Sequence, residues 1–237
     1  MSSSRLIIFV KNPVEGRVKT RLAADIGSER ALEVYLSLLK HTFLETSKFT
    51  AQYADVDTGL YFSDFIPVKT SFPIDIPPVF QQHLQQGERL GARMKNAFAE
   101  GFARGYRRQV IVGSDCPQLM AGHLKEAFDA LNNTETVIGP ARDGGYYLLG
   151  LKRNTFHAGL FQGIPWSTSQ VMAQTQEKLR SYALTTFVLP SLRDIDTLED
   201  LKPLLTSQGL AVDPPQALEE SIQTLMHSPW PIQLATA

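Results

Sequence analysis

Several features that would mark particular classes of protein are scarce in this sequence of 237 residues. A single cysteine, Cys116, excludes an internal disulfide and suits a reducing compartment. Lysine and arginine total 23 against 24 acidic residues, so the net charge of −1 gives no overall field for binding nucleic acid or an anionic membrane. The first apolar run, residues 6–10, is too short for a signal-peptide core or a membrane span. We therefore expect a cytoplasmic protein whose attraction for anions is local.

Short apolar runs alternate with amphipathic segments along most of the chain. The predicted strands are residues 5–10, 59–63, 78–82, 109–115, 136–140, 145–151 and 185–190. Ser28 caps the first predicted helix. Three more span residues 88–104, 119–131 and 167–179, the last starting between 167 and 169, and two others begin at residues 196 and 215. This alternation predicts an α/β fold with a mostly parallel central sheet and helices on both faces.

Neither an internal repeat nor a long linker interrupts this pattern. We predict one domain over residues 1–212, followed by a C-terminal helix and tail over 213–237. In open sheets of this kind, ligands bind beyond the carboxyl ends of the strands. The loops at those ends therefore carry the candidate functional residues.

The loop after the first strand, KNPVEGRVKTRL at residues 11–22, concentrates positive charge around one glycine. Several converging cations can hold a polyphosphate, although the same residues could be a solvated surface. The spacing of a Walker loop is absent. The predicted phosphate-binding residues are Lys11, Arg17, Lys19 and Arg21.

An acidic residue closes the predicted strand at GSDCP, residues 113–117. Asp115 there could ligate Mg²⁺, which takes one or two protein carboxylates and completes its shell with phosphate and water. The alternative is a helix cap for the segment that follows. Cys116 has no histidine in a recognisable motif relation, so we interpret it as a buried structural thiol.

The motif GPARDGGYYLLGL, residues 139–151, places an aspartate and two glycines at the mouth of a strand. We interpret Asp143 as a fixed carboxylate at the rim of the site, with Gly144 and Gly145 baring the backbone for a substrate. The alternative is a tight turn between two strands.

Two further segments carry polar side chains at predicted helix starts. In RDIDTLEDL, Asp194 and Asp196 lie on one side if the chain is extended, whereas Asp196 could instead cap the helix containing Glu199. In GIPWSTSQV, Trp166 stands beside Ser167 and Thr168, which suits a sugar or base but is also a common way to seal a core edge.

These motifs, together with QGERLGARMKNAF, occur in an order that resembles the bacterial DUF2064 family of GT-A-type glycosyltransferases. The succession is more distantly similar to nucleotidyltransferases that make molybdenum cofactor dinucleotides and 2-phospholactate guanylyl conjugates. The resemblance spans about residues 6–201. It implies the fold of nucleotide-diphospho-sugar transferases, a Rossmann-type fold, and a nucleotide-activated donor.

The resemblance also implies roles for individual residues. Gly91, Arg93 and Asn96 would lie near the base or ribose of the donor. Asp115 would bind Mg²⁺ or Mn²⁺, with Asp196 as a second ligand. The remaining predicted substrate-binding residues are Gly144, Gly145, Tyr146, Trp166, Ser167 and Thr168.

The function that follows is a metal-dependent transferase, with glycosyl transfer from a nucleoside-diphospho-sugar to a small acceptor preferred. In that reaction Asp143 would orient or deprotonate the acceptor hydroxyl. One alternative is nucleotidyl transfer from an NTP to a phosphorylated acceptor. Another is a nucleotide-binding module without catalysis, which the presence of all three predicted site acids argues against. The sequence does not fix the nucleobase, the acceptor or the oligomeric state.

Overall fold

The computed structural model describes residues 3–68, 72–206 and 216–227, and these form one sheet flanked by α-helices. The strands are β1 (Ser4–Val10), β2 (Val56–Phe62), β3 (Gln81–Leu84), β4 (Arg108–Val112), β5 (Thr136–Pro140), β6 (Tyr146–Lys152) and β7 (Thr186–Val188). The helices are α1 (Thr20–Ile26), α2 (Ser28–Gln52), α3 (Leu90–Ala103), α4 (Ala121–Asn133), α5 (Val171–Ser181), α6 (Leu198–Thr206) and α7 (Gln216–His227). Two single-turn 3-10 helices, Arg153–Thr155 and Ala158–Phe161, follow β6.

The strand order is β3-β2-β1-β4-β6-β5-β7. Strands β1 to β4 pair in parallel, β5 and β7 pair in parallel, and β6 runs antiparallel to both β4 and β5. The mostly parallel sheet predicted from the sequence is confirmed. The carboxyl ends of β1, β2 and β4 open at one edge, and the hairpin between β5 and β6 turns at that same edge.

The core lies on both faces of the sheet, as predicted. Strand β1 is central, and its apolar residues Leu6, Ile7 and Ile8 are fully buried. On one face the sheet packs against α2 and α4, and on the other against α3 and α5. A third cluster joins α1, α2, α6 and α7 through residues that include Leu22, Leu38, Leu204 and Ile222.

Several predicted boundaries are wrong. Strand β2 begins at Val56 rather than at 59, and β3 lies at Gln81–Leu84 rather than at 78–82. Strand β4 ends at Val112, although the N–H of Gly113 still donates to the carbonyl of Tyr147 on β6 at 3.2 Å. Asp115 therefore stands in the loop beyond the strand and is not its last residue.

The helix starts also differ from the predictions. Gly27, not Ser28, caps α2, and the Ser28 hydroxyl donates to Glu15 instead. The end of the basic loop belongs to α1, a helix that was not predicted and that buries Leu22. Helix α5 begins at Val171, two residues later than predicted.

Helix α7 confirms the helix predicted near the C-terminus, and its Leu218 and Ile222 are buried in the cluster with α2. The predicted domain boundary between residues 212 and 213, and the tail from 228 onward, lie outside the described residues. The division of the chain into domains thus stays a prediction. Within the described part of the chain, none of the helices has the length and apolarity needed to cross a bilayer.

Candidate active site

A cavity of about 640 Å³ opens where the carboxyl ends of β1 and β4 meet the β5–β6 hairpin. This volume is typical of a pocket for a small molecule. Charged side chains on its wall are Lys11, Arg17, Asp64, Glu88, Arg93, Asp115, Asp143 and Asp194. Apolar and aromatic side chains on its wall include Phe9, Leu90, Met94, Tyr146, Trp166 and Val171. Cations and carboxylates thus share the pocket with an apolar wall.

Two of the predicted phosphate-binding residues, Lys11 and Arg17, line the cavity and are exposed. The backbone of Lys11 is fixed because its N–H lies 2.9 Å from the hydroxyl of Tyr35, a buried side chain of α2. Gly16, with φ of 74°, allows the turn that brings Arg17 back toward the strand. Within the described chain, no carboxylate forms an ion pair with either cation, so both can meet an anion in the cavity.

Lys19 behaves differently from these two residues, because it is already paired with two acids. Its side chain is 3% exposed, and Nζ lies 2.6 Å from Asp115 Oδ1 and 3.1 Å from Asp196 Oδ1. Arg21 stands at the periphery, with Nη2 3.8 Å from Asp196 Oδ2 and a side chain that is 68% exposed. The basic loop and the predicted metal ligands therefore meet at Lys19.

Burial acts to lower the pKa of Lys19, but the charges of Asp115 and Asp196 outweigh it and the net shift is upward. For Asp196, burial acts to raise the pKa, and the charges of Lys19, Arg21 and Lys11 reverse the sign and lower it. The Lys19 ammonium and the Asp196 carboxylate thus stay ionised at neutral pH.

The loop after β4 holds Asp115 in place through its backbone. The carbonyl of Asp115 accepts the N–H of Ile195 at 3.0 Å, which joins this loop to the segment carrying Asp196. The alternative reading of Asp115 as a helix cap is wrong, because α4 begins at Ala121 and the residue preceding it is Met120. The neighbouring Cys116 is buried, and burial raises the pKa of its thiol to about 12, which makes it a poor nucleophile.

Asp143 lies in the tight hairpin between β5 and β6. Its Oδ1 accepts the N–H of Gly145 at 2.8 Å, and Gly144 adopts a φ of 91°. A Cβ at Gly144 would lie 2.2 Å from the carbonyl oxygen of Ser169, so this glycine is needed for close packing of the backbone before α5. Asp143 and Gly145 also line the cavity. Asp143 therefore both stabilises the tight turn and places a carboxylate at the rim of the cavity, although the sequence presented these roles as alternatives.

Asp194 is a cavity residue that the sequence-based choice of site residues left out. Burial, with the charges of Asp143 and Asp196, raises its pKa to about 6. The spacing of Asp194 and Asp196 could have indicated it, because both lie on one side of an extended segment, but only Asp196 was predicted as a site residue. Asp196 does not cap α6, because Thr197 and Asp200 form the reciprocal capping pair with bonds of 2.9 and 3.3 Å. Its carboxylate is directed to Lys19 instead.

The three residues predicted near the base or ribose have structural partners in the loop before α3. Arg93 Nε donates to the carbonyl of Gly87 at 2.8 Å, and Asn96 Nδ2 donates to that of Gln86 at 2.8 Å. A Cβ at Gly91 would lie 2.3 Å from Nε1 of Trp166, so the helix and the indole pack without room for a side chain. Arg93 lines the cavity, whereas Gly91 and Asn96 do not.

The predicted substrate-binding residues Tyr146, Trp166, Ser167 and Thr168 all line the cavity. The rings of Tyr146 and Trp166 lie edge to face with centroids 6.4 Å apart. Ser167 has a φ of 65°, a conformation that residues with a side chain adopt infrequently. Trp166 also packs against the core under α3, so it both seals the core edge and forms the pocket wall.

Asn12 is a further residue that sequence reasoning missed. It is 3% exposed, and its Oδ1 accepts the N–H of Asp64 at 2.9 Å while its Nδ2 donates to the carbonyl of Phe65 at 2.9 Å. The loops after β1 and β2 are thereby joined at the cavity. An asparagine beside a proline reads from sequence only as a turn signal, which hides this role.

Among the described residues, no group of three or more acidic, histidine or cysteine side chains could hold a metal ion. Two carboxylates do converge, however, because Oδ1 of Asp115 and Oδ1 of Asp196 both lie within 3.1 Å of Lys19 Nζ. The ammonium marks the point on which they converge. Two oxygen donors fit a divalent ion that completes its shell with phosphate and water.

Known proteins resemble this chain in family and in fold. A model of the family described as uncharacterized protein conserved in bacteria (DUF2064) matches residues 49–168. The chain belongs to the DUF2064 family. This family match covers α3, the loop of Asp115, the hairpin of Asp143 and Trp166.

This DUF2064 protein is similar to three other proteins over most of the length of both chains. A crystal structure from Desulfovibrio desulfuricans G20, provisionally assigned as a nucleotide-diphospho-sugar transferase, is 31% identical, has a TM-score of 0.83, and covers 95% of this chain and 94% of its own. The 2-phospho-L-lactate guanylyltransferase of Methanocaldococcus vulcanius is 22% identical over 222 residues, or 88% of this chain and 93% of its own. Rv0371c of Mycobacterium tuberculosis H37Rv, in complex with manganese, is 15% identical with a TM-score of 0.51 over 85% of this chain and 96% of its own, which shows a shared fold.

Proposed function

We propose that this DUF2064 protein is a divalent-metal-dependent transferase that uses a nucleotide-activated donor. One observation carries the proposal: unpaired cations from the loop after β1 and carboxylates from three later loops line the same cavity of about 640 Å³. A donor of this class presents two chemistries that the cavity matches, a pyrophosphate for the cations and an apolar base or sugar ring for the aromatic wall.

Lys11 and Arg17 are the proposed grip on the donor phosphates. Both line the cavity, and neither forms a close ion pair with an acid of the described chain. A cation about 4 Å from a phosphate oxygen gains on the order of 4 kcal/mol at an effective dielectric near 20. Two such contacts suffice to orient a pyrophosphate along the edge of the sheet.

Asp115 and Asp196 are the proposed ligands of Mg²⁺ or Mn²⁺, because their oxygens already converge on one point. When bound, such an ion supplies positive charge that stabilises a departing diphosphate. Asp143 is the proposed acceptor-side residue. The hairpin fixes it at the rim, where it can orient an acceptor hydroxyl or take its proton. Asp194 stands near it and adds negative charge to the same wall.

We propose a nucleoside-diphospho-sugar as the donor and glycosyl transfer as the reaction. The support is the relative from D. desulfuricans, which is 31% identical and assigned to nucleotide-diphospho-sugar transferases. Nucleotidyl transfer from an NTP is the second candidate. It is favoured by the guanylyltransferase relative, which covers 88% of this chain.

Thermal stabilisation across NTPs and nucleoside-diphospho-sugars, with and without Mg²⁺ or Mn²⁺, tests the proposal, because a ligand that binds the native state raises its melting temperature. Metal-dependent stabilisation by a diphospho-sugar supports glycosyl transfer, and a preference for a triphosphate supports nucleotidyl transfer. Phosphorus NMR of the products separates the two reactions, since one releases a nucleoside diphosphate and the other releases pyrophosphate. Stabilisation that ignores the metal would favour a module without catalysis, and no stabilisation by any donor would contradict the proposal.

The role of Asp143 has its own test. Replacing Asp143 by Asn should leave donor affinity nearly unchanged and lower turnover about 100-fold, the usual range for a lost general base. Loss of donor affinity with unchanged turnover would reject an acceptor-side role.

A further inference from the structure

Lys19 does not share the position of the other cations of its loop. Lys11 and Arg17 line the cavity, whereas the Lys19 ammonium is enclosed and lies within 3.1 Å of the two carboxylates that would hold a metal ion. We infer that Lys19 is an exchangeable counter-ion: its ammonium holds Asp115 and Asp196 together in the metal-free protein and must give up these contacts when a divalent ion binds. This inference rests on the proposed function and deepens it.

The two ion pairs of Lys19 are short, and its side chain is enclosed. Nζ is 2.6 Å from one carboxylate and 3.1 Å from the other, and the Lys19 side chain is only 3% exposed. The carboxylates themselves are 40% and 36% exposed. Both acids are therefore partly exposed, and Asp115 also lines the cavity, while the cation that balances them is enclosed.

The backbone of Lys19 supports the same conclusion. Its φ of 48° and ψ of 43° lie in the left-handed region, which residues with a side chain seldom occupy. Its carbonyl accepts the N–H of Ala23 at 2.8 Å as the first bond of α1. Such conformations persist only where the surroundings impose them, and they cluster at functional sites. Here the conformation accompanies a side chain enclosed between the two acids.

One ammonium and one divalent ion cannot both use the same pair of oxygens at full strength. A metal ion that binds Asp115 and Asp196 would repel the ammonium, which then needs another anion. A donor phosphate in the cavity is an anion of that kind. Metal and donor should consequently strengthen each other, and this coupling must be the same in both directions. In the absence of a donor, metal binding to the native chain should be weak.

The test measures Mn²⁺ binding to the protein without nucleotide, by electron paramagnetic resonance of free Mn²⁺. Lys19→Gln should bind Mn²⁺ about ten-fold more tightly than the native protein, because the competing cation is gone. Lys19→Arg keeps the charge and should stay within about two-fold of the native affinity. Arg17→Gln removes a cation of the same loop that has no acid partner, and it should also leave Mn²⁺ affinity within about two-fold.

Two results would overturn the inference. One is a Lys19→Gln protein that binds Mn²⁺ no more tightly than the native chain. The other is an Arg17→Gln protein that gains as much affinity as Lys19→Gln, because the effect would then be a general change of field and not a competition at the acids.

A measurement on the native protein covers the case in which Lys19→Gln does not fold. Amine-reactive labelling followed by mass spectrometry should show Lys19 modified several-fold faster when millimolar Mn²⁺ is present, since the ammonium is then released from its enclosed pair. Labelling that is unchanged by Mn²⁺ contradicts the inference. The proposed function fails separately: if donors stabilise the native protein but these tests fail, only the counter-ion role is lost.

Discussion

Two buried cations, Lys19 and Arg5, lie toward opposite ends of the sheet and have contrasting partners. Lys19 follows the carboxyl end of β1 and pairs with two partly exposed carboxylates. Arg5 is the second residue of β1 and is fully buried, with Nη2 2.6 Å from His83 Nε2 and the guanidinium carbon 5.3 Å from the ring centroids of Tyr61 and Tyr106. Its Nε and Nη1 have no hydrogen-bond partner among the residues that the structure describes.

The difference separates a cation placed for exchange from one placed for packing. The partners of Lys19 are charged and partly exposed, and one of them, Asp115, lines the cavity, so they can accept another ion. The partners of Arg5 are two aromatic rings and an imidazole that must stay neutral to accept its hydrogen bond. A Cβ at Gly59 would lie 2.8 Å from Arg5 Nη2, so a glycine at this position of β2 leaves room for the guanidinium. We therefore expect changes at the Arg5 end to alter stability and changes at the Lys19 end to alter function.

The largest stability effect is expected at Arg5. Arg5→Ala should lower the free energy of unfolding by about 3–5 kcal/mol, because it empties a fully enclosed volume between two rings. Arg5→Met keeps most of that volume without the buried charge and should stay within about 1.5 kcal/mol of the native value. Chemical denaturation measures both variants. Equal losses in the two would show that the charge, and not the packing, matters at this end.

The matching change at the other end is Asp115→Asn. It removes one of the two convergent carboxylates and should lower turnover about 100-fold, while stability falls less than in Arg5→Ala because Asp196 still pairs with the enclosed Lys19 ammonium. Asp129→Asn serves as the control, since that acid lies in an exposed ion pair with Lys125 on α4 and such pairs contribute about 0–1 kcal/mol. A large loss of stability with unchanged turnover in Asp115→Asn would reverse the assignment of the two ends.

Packing also constrains the cavity wall, and Gly91→Ala sharpens the comparison there. A methyl group at Gly91 would meet the indole of Trp166 at 2.3 to 2.7 Å, so unfolding free energy should fall by about 1–3 kcal/mol and donor affinity should fall with it. Gly122→Ala makes the same change on α4, where nothing lies within 4 Å, and it should be neutral or stabilising by up to about 1 kcal/mol. Differential scanning calorimetry measures the unfolding of both variants. Equal changes in their unfolding free energy would contradict the close packing at Gly91.

The effect that is smallest at neutral pH is a dependence of stability on acid pH at the Arg5 end. Burial and the adjacent Arg5 lower the pKa of His83 to about 4, below its value of about 6.5 in the unfolded chain. Since the unfolded state binds the proton first, stability should be full above pH 6.5 and decline as the pH falls toward 4, by up to about 1.4 kcal/mol per unit. His83→Gln should flatten this decline, whereas substitution of the exposed His157 should not. An unchanged acid limb in His83→Gln would contradict the prediction.

The fold was largely predictable because its signals are local. Buried strands such as β1 read as short β-branched runs, and amphipathic helices such as α3 read as periodic apolar positions. The errors fall where long-range contacts decide the boundary. Strand β4 ends where its paired register with β6 ends, at Val112 opposite Leu148, and the short helix α1 is held by burial of Leu22 against later parts of the chain. Neither cause is visible within a window of sequence.

The candidate site was predictable in its residue types but not in its pairing. Lys19 lies far from Asp115 and Asp196 along the chain, and no local pattern shows that these three meet while Lys11 and Arg17 remain unpaired. Gly144 was interpreted as baring the backbone for a substrate and Gly91 was placed near the base or ribose of the donor, although the backbone of Ser169 and the indole of Trp166 fill the space beside them. Asn12 was passed over because its bonds to residues 64 and 65 depend on the approach of two loops.

The central claim, that Lys11 and Arg17 receive the phosphates of a donor, is tested most directly by the affinity for pyrophosphate, which both candidate donors contain. Isothermal titration calorimetry with Mg²⁺ and pyrophosphate should show binding to the native protein, and binding about 100-fold weaker to the Lys11→Gln, Arg17→Gln double variant. Equal affinity in the two proteins would contradict the account.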